Sequence, residues 1–378
     1  MSTLQNQGNT PVSRREILQA TSAGFGYMAF AAMQAQAAST YGNPLTPKKP
    51  PMTAKAKRVI FACMRGGPSH VDTIDYKPAL AKNDGETVAK FKGRKLLKSP
   101  WKFSKQGESG LPISELLPNL SKHADRLCLL NGMYADVPSH PQCFTQLHTG
   151  SFQFVRPSMG AWILYGLGTE NQDLPGFITI NPPTRVGGAQ NYGSSFLPAV
   201  YQGTPVGQLG SDLKKATIGN LKNSRLGNAE QRRQLDLLQA MNRDLKAQQP
   251  TNQQIDGVIE SYELAFRMQG AVPEVMDLSD EPAHIKKLYG IDGKGTDNFA
   301  RQCLMARRFA ESGVRFIEIT HSSWDQHNGL RGRLATNCNA IDQPMAALLH
   351  DLDQRLSSLN ANQRLVMLVT SPRLQLIG

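Results

Sequence analysis

Five of the eight histidines fall in three short polar clusters, each placed after an apolar run. The first is Gly66-Gly67-Pro68-Ser69-His70-Val71-Asp72-Thr73-Ile74-Asp75. The second runs from Ser139-His140 to Thr149-Gly150 and takes in His148. The third is Thr320-His321-Ser322-Ser323-Trp324-Asp325-Gln326-His327. His70, Asp72 and Asp75 offer one nitrogen and two hard oxygen donors; Asp325 and His327 offer another pair. Mixed Asp/His sets suit Zn²⁺, or Mn²⁺ and Mg²⁺ where oxygen dominates. Two such ions about 3.5–4 Å apart clamp a phosphoryl or sulfuryl group and activate a nucleophile. A lone histidine in a loop is more often a satisfied polar residue than a ligand. The concentration of five in three clusters turns the expectation toward a divalent metal, with Zn, Mg, Mn and Ca left open. His123, His284 and His350 fall on expected helical or loop surface and receive no role.

Other chemistries are weaker. Gly66-Gly67 lacks the spacing of the phosphate-binding glycine motifs, so those glycines serve close backbone approach instead. Ser158, in Arg156-Pro157-Ser158-Met159-Gly160, precedes an apolar helical stretch. It reads as an N-cap hydroxyl or as a nucleophile at a positive helix end. The five cysteines are scattered with no CxxC pair, which excludes zinc-finger and thioredoxin arrangements.

The elements that must position these clusters alternate in type. Arg58–Met64, Leu127–Met133, Gly176–Asn181, Val314–Thr320 and Leu365–Thr370 are short apolar runs suited to strands buried on both faces. Asn298–Ser312 and Ile341–Leu356 carry helical apolar stripes, and Gly313 stops the first of them. This pattern predicts an α/β fold: a doubly wound, mostly parallel sheet flanked by helices. Ligands of such sheets bind beyond the carboxyl ends of the strands, so all three clusters can share one edge. Between about 205 and 290 the pattern is helical, with amphipathic stretches at Ala229–Gln248 and Gln253–Gln269 and a short helix from Ser279 to Gly290. That segment reads as a helical insertion. No internal repeat is present.

The 378 residues carry 42 Lys and Arg against 30 Asp and Glu, a net charge of +12. Such a charge favours anionic partners. Nucleic-acid binding would rest on that charge alone, so no nucleic-acid partner is expected. Residues 1–37 read as a twin-arginine signal peptide: Arg14-Arg15, a weakly apolar Ala20–Ala32, then Ala35-Gln36-Ala37. That apolar stretch is short of the ~20 residues that span a bilayer, so no stable membrane anchor is expected. Removing Met1–Ala37 takes away two Arg and one Glu and leaves +11. Residues 38–55 form an extended leader. The expected location is periplasmic or secreted, reached through the twin-arginine export machinery.

Several motifs together resemble the DUF1501 family of secreted bacterial proteins. They are RGGPSHVDTID, SPWKFSKQGESGLPISELLPNL, RPSMGAWILYGLGTENQDLPGFI, NYGSSFLPAVYQGT and WDQH, spread over about residues 56 to 356. The family is in turn similar to the alkaline phosphatase/sulfatase superfamily. The resemblance implies an alkaline phosphatase-like domain over 56–378, with an early aspartate ligand, Asp72 or Asp75, after the first strand. It implies a nucleophile at a helix start and later ligands at Asp325 and His327. Ser139–Gly150 is similar in spacing to the sulfatase signature, with His140 in the nucleophile slot and Cys143 three positions on. Family members continue past the last strand with a GEFGRTP-like segment and an Asp-His pair, whereas this chain reads Ser371–Gly378. The resemblance therefore implies that the C-terminal part of the fold and half of the ligands are missing. At most one weakly bound ion and little hydrolase activity are then expected. Two readings follow. One is an exported metal-dependent hydrolase of sulfate or phosphate esters, with an anionic polysaccharide ester as substrate. The other is a non-catalytic, truncated pseudoenzyme that keeps an anion-binding cleft.

Overall fold

Arg58–Met64 forms strand β1, and its last five residues are buried. A strand apolar on both sides needs neighbours in the sheet and helices above and below it. A computed structural model of the chain supplies both; it describes residues 43–50, 52–54, 56–89, 93–185, 187–219, 221, 223–358 and 365–370. The expected signal at Met1–Ala37 and the terminal Ser371–Gly378 lie outside the described residues. β1 is joined by β4 (Phe177–Ile180), β5 (Thr204–Val206), β6 (Phe316–His321) and β7 (Leu365–Thr370). The order across this five-stranded sheet is β5-β4-β6-β1-β7, and each of its ladders is parallel. A separate antiparallel hairpin pairs β2 (Phe103–Gln106) with β3 (Leu111–Ser114).

Two helices follow β1 closely, α1 (His70–Thr73) and α2 (Pro78–Lys82). One face of the sheet carries α3 (His140–Thr149) and α4 (Met159–Leu167). Phe61 of β1 meets His148 of α3 edge-on at 5.5 Å on that face. Beyond β5 come α5 (Asn228–Gln248), α6 (Gln253–Met276) and α7 (Ala283–Tyr289). The other face is covered by α8 (Asp297–Glu311) and α9 (Leu330–Ser358). Phe299 of α8 packs on His321 of β6 at 5.4 Å. α8 ends where predicted, at Gly313 with φ +91. The expected start of the helical segment near 205 falls inside β5, and the helices begin after it. α9 starts earlier than predicted because buried Leu334 and Cys338 continue its apolar stripe toward the N-terminus.

One predicted strand is absent. Leu127–Met133 lies outside the sheet; Asn131-Gly132 forms a turn inside it, and Leu130 and Met133 are 71% and 63% exposed. The Asn-Gly pair is a turn signal that outweighs the apolar residues around it.

Asp342 of α9 shows how the layers are tied. It is buried and accepts hydrogen bonds from the backbone N–H groups of Asn119 and Leu120 at 2.9 and 2.8 Å, and from Asn119 Nδ2 at 2.8 Å. These groups open the 3₁₀ turn Leu120–Arg126, so the carboxylate caps a second element from outside it. Asp342→Ala is expected to cost about 3 kcal/mol, since it strands buried donors. Urea unfolding measures this; a loss under about 1 kcal/mol would show that water replaces the cap.

Candidate functional site

The connection leaving β1 passes toward β4, and the one leaving β6 passes across to β7. The two diverge between neighbouring strands, which opens a crevice at their carboxyl ends. β1 and β6 end in register, with Met64 beside His321. Past that point their loops stay bonded: the Arg65 N–H donates to the His321 carbonyl at 2.8 Å, and the Trp324 N–H to the Arg65 carbonyl at 3.2 Å. Trp324 is buried and anchors the second loop. Gly66 has φ +105, and a Cβ there would stand 2.6 Å from the Asp325 backbone nitrogen. Only glycine allows that approach without moving Asp325.

Asp325 is thus presented at the crevice, and His140, the first residue of α3, meets it. His140 Nε2 lies 3.1 Å from Asp325 Oδ2, and His327 Nε2 lies 3.0 Å from the same oxygen. The carboxylate is 35% exposed, His140 22% and His327 79%, so the group opens toward solvent. Two imidazole nitrogens stand within ion-pair distance of one carboxylate oxygen, a His–Asp–His cluster. His140 Nδ1 is buried with no hydrogen-bond partner.

The first cluster is organised differently. Ser69 Oγ donates to Asp72 Oδ2 at 2.6 Å. Asp75 receives Lys77 Nζ on Oδ1 at 2.9 Å, and His70 Nε2 lies 3.9 Å from its Oδ2. Both carboxylates are buried. Lys77 was no part of the sequence reading; its place two residues past Asp75 is the only signal for it. Ser158 takes the N-cap role: its buried hydroxyl accepts the Ala161 N–H at 3.4 Å.

The sequence model of the family described as "Protein of unknown function (DUF1501)" matches residues 56–359. The chain belongs to that family. No curated protein and no solved structure matches it. Among the described residues of this DUF1501 protein, no group of three or more His, Cys, Asp or Glu stands as a ready metal cage. Asp325, His327 and His140 nevertheless converge, and His140 Nδ1 is a buried nitrogen without a hydrogen-bond partner. The arrangement differs from a cage because both Nε2 atoms are turned onto Asp325.

A second ionisable group of the DUF1501 protein lies beneath the crevice. His148 Nδ1 donates to the Phe144 carbonyl at 2.7 Å, and its Nε2 faces Glu318 Oε1 at 2.9 Å. All are buried in the sheet–helix layer, as is Cys63, whose thiol affects the same ring. Burial pulls the His148 pKa down, but the Glu318 charge and the bonds from Cys63 and Glu318 carry it well above the usual value. Burial pushes the Cys63 thiol up, although its bond to His148 opposes this. His321, by contrast, is pushed down to about 4 by burial, partly offset by the Ser322 backbone, so it is neutral at pH 7. The sequence reading singled out His148 and passed over Glu318. The signal was available: one carboxylate in the otherwise apolar core of β6.

Proposed function

We propose that this chain is an exported, metal-dependent hydrolase of sulfate or phosphate esters. The observation that carries the reading is the convergence of His140 and His327 on Asp325 Oδ2 at the divergence of β1 and β6. Asp325 and His327 would hold a divalent ion, with His70, Asp72 and Asp75 as donors on the facing loop. Bound there, such an ion neutralises charge on an ester oxygen and lowers the pKa of a nucleophile. The chain's own groups do the rest. Asp325 orients both rings, as carboxylates orient histidines around metals. His140, shielded at the start of α3 with Nε2 3.1 Å from Asp325 Oδ2, is placed as the acid–base group. The charge of +12 favours anionic substrates, polysaccharide esters among them. Export rests on Arg14-Arg15 and Ala35-Gln36-Ala37.

One observation favours a second reading, an anion-binding protein without turnover: Lys77 already sits on Asp75. Both readings meet one experiment. The purified chain is dialysed against chelator, then given Zn²⁺, Mn²⁺, Mg²⁺ or Ca²⁺ with 4-nitrophenyl sulfate or phosphate. The expected result is one weakly held ion per chain and slow ester cleavage that requires it. Ester binding with no metal-dependent cleavage would establish the second reading and overturn the first.

A further inference from the structure

A cavity of about 300 Å³ opens beside the first cluster. Its walls are Tyr76 and Lys77, just past Asp75, and Lys98, Trp101, Lys102 and Phe103, which lead into the β2–β3 hairpin. No carboxylate lines it. Tyr76 and Phe103 stack at 4.9 Å with their planes 29° apart, making one continuous aromatic wall. The three lysines are exposed. Lys77 is paired with Asp75, and Lys98 lies 3.4 Å from Asp84. Lys102 makes no side-chain ion pair among the described residues, while its backbone N–H donates to Glu115 Oε1 at 3.1 Å.

We propose that this cavity binds a sulfated or carboxylated sugar ring of an acidic glycan. The chemistry has two parts. Ammonium groups bind sulfate and carboxylate oxygens through charge-assisted hydrogen bonds. Aromatic faces take the apolar C–H face of a pyranose, which free sulfate lacks. A volume of this order is at the small end of ligand sites and suits a sugar unit at a chain end or within a strand. A single-stranded nucleic acid also wants aromatics among lysines. Here one stacked pair offers a single outer face, which suits one sugar ring rather than the row of successive bases such proteins stack. The position matters as well. Lys77 belongs to the cavity wall and to the Asp75 ion pair, so a sugar held here stands one side chain from the His70–Asp75 group. That the bound sugar is substrate rests on the hydrolase reading above; that it binds does not.

The test uses the full chain in excess chelator, so that failure of metal-dependent turnover leaves it untouched. The probe is a heparin-derived tetrasaccharide, followed by Trp101 fluorescence and by calorimetry. Inorganic sulfate and a single-stranded oligonucleotide of matched charge are run at equal ionic strength. The tetrasaccharide is expected to bind, and the paired change Lys98→Gln/Lys102→Gln to weaken it about tenfold or more. Phe103→Leu keeps the charge and is expected to weaken the sugar several-fold while leaving the response to sulfate unchanged. Lys214→Gln/Lys215→Gln, on a different surface, is the control for net charge, and melting curves confirm that each variant folds. Parent-like binding by Lys98→Gln/Lys102→Gln would overturn the proposal. So would an equal loss in the control pair, or equal binding of the oligonucleotide or of free sulfate.

Discussion

Glu318→Ala is expected to lower the stability of the fold by about 3–5 kcal/mol, the usual result of leaving a buried charge without its partner. Glu318 stands in β6, a central strand, and is 1% exposed. Its Oε1 takes the His148 ring at 2.9 Å, and the other ring nitrogen is committed to the Phe144 carbonyl. Both nitrogens therefore face acceptors, which is the arrangement of a doubly protonated imidazolium. Without the carboxylate the ring must stay charged in an apolar layer or lose its proton and one bond. Glu318→Gln keeps the shape and gives up the charge, so its loss is smaller. The double replacement His148→Phe/Glu318→Leu is expected to recover most of the stability, because well-packed apolar residues replace buried ion pairs at little cost. Urea unfolding of the parent, His148→Phe, Glu318→Leu and the double replacement gives the coupling directly. A loss under about 1 kcal/mol in Glu318→Ala would show that the pair is uncharged.

The same pair sets a pH dependence whose sign is fixed. The folded pKa of His148 is raised above its unfolded value of about 6.5. The contribution is therefore fully present below about 6.5 and is lost as pH rises through the folded value. The parent should weaken on the alkaline side by this amount. The double replacement should not show that component.

The fold and the site were legible to different degrees, for physical reasons. Arg58–Met64, Gly176–Asn181, Val314–Thr320 and Leu365–Thr370 announced their strands because a parallel strand is apolar on both faces. The order β5-β4-β6-β1-β7 was not legible, since no local pattern says which strand lies beside which. β5 escaped notice because Thr204–Val206 is a short edge strand with a proline in it. Leu127–Met133 misled because composition alone does not register the Asn131-Gly132 turn. Loops past parallel strands share one edge, and there the structure sets His140 and His327 at 3.1 and 3.0 Å from Asp325 Oδ2. The Lys77–Asp75 pair and the Tyr76–Phe103 wall were not visible. The wall depends on a hairpin folding back over the loop after β1, which is a tertiary event, while the pair is a local contact between residues two apart that the types alone do not announce.

Asp325→Ala is expected to reduce divalent-metal affinity by roughly 100-fold or more, and metal-dependent ester cleavage with it. Partners one step removed from a metal already cost about 10–100-fold when changed, and Asp325 is the point on which both imidazoles converge. Its removal leaves His140 and His327 without a shared acceptor and takes the only carboxylate from that group. Asp325→Asn keeps the size but not the charge and is expected to fall nearly as far. Asp84→Ala is the contrasting change: Asp84 is exposed, pairs with Lys98 and is remote from Asp325 in the chain. It should leave metal affinity unchanged. Calorimetric titration of Zn²⁺ and Mn²⁺ into the three variants and the parent reads the difference, with melting curves as the check on folding. If Asp325→Ala binds metal like the parent, the His–Asp–His group is a structural ion-pair cluster and the ion, if held, belongs to the loop after β1. If Asp84→Ala loses as much as Asp325→Ala, the loss reports the protein's charge rather than a site.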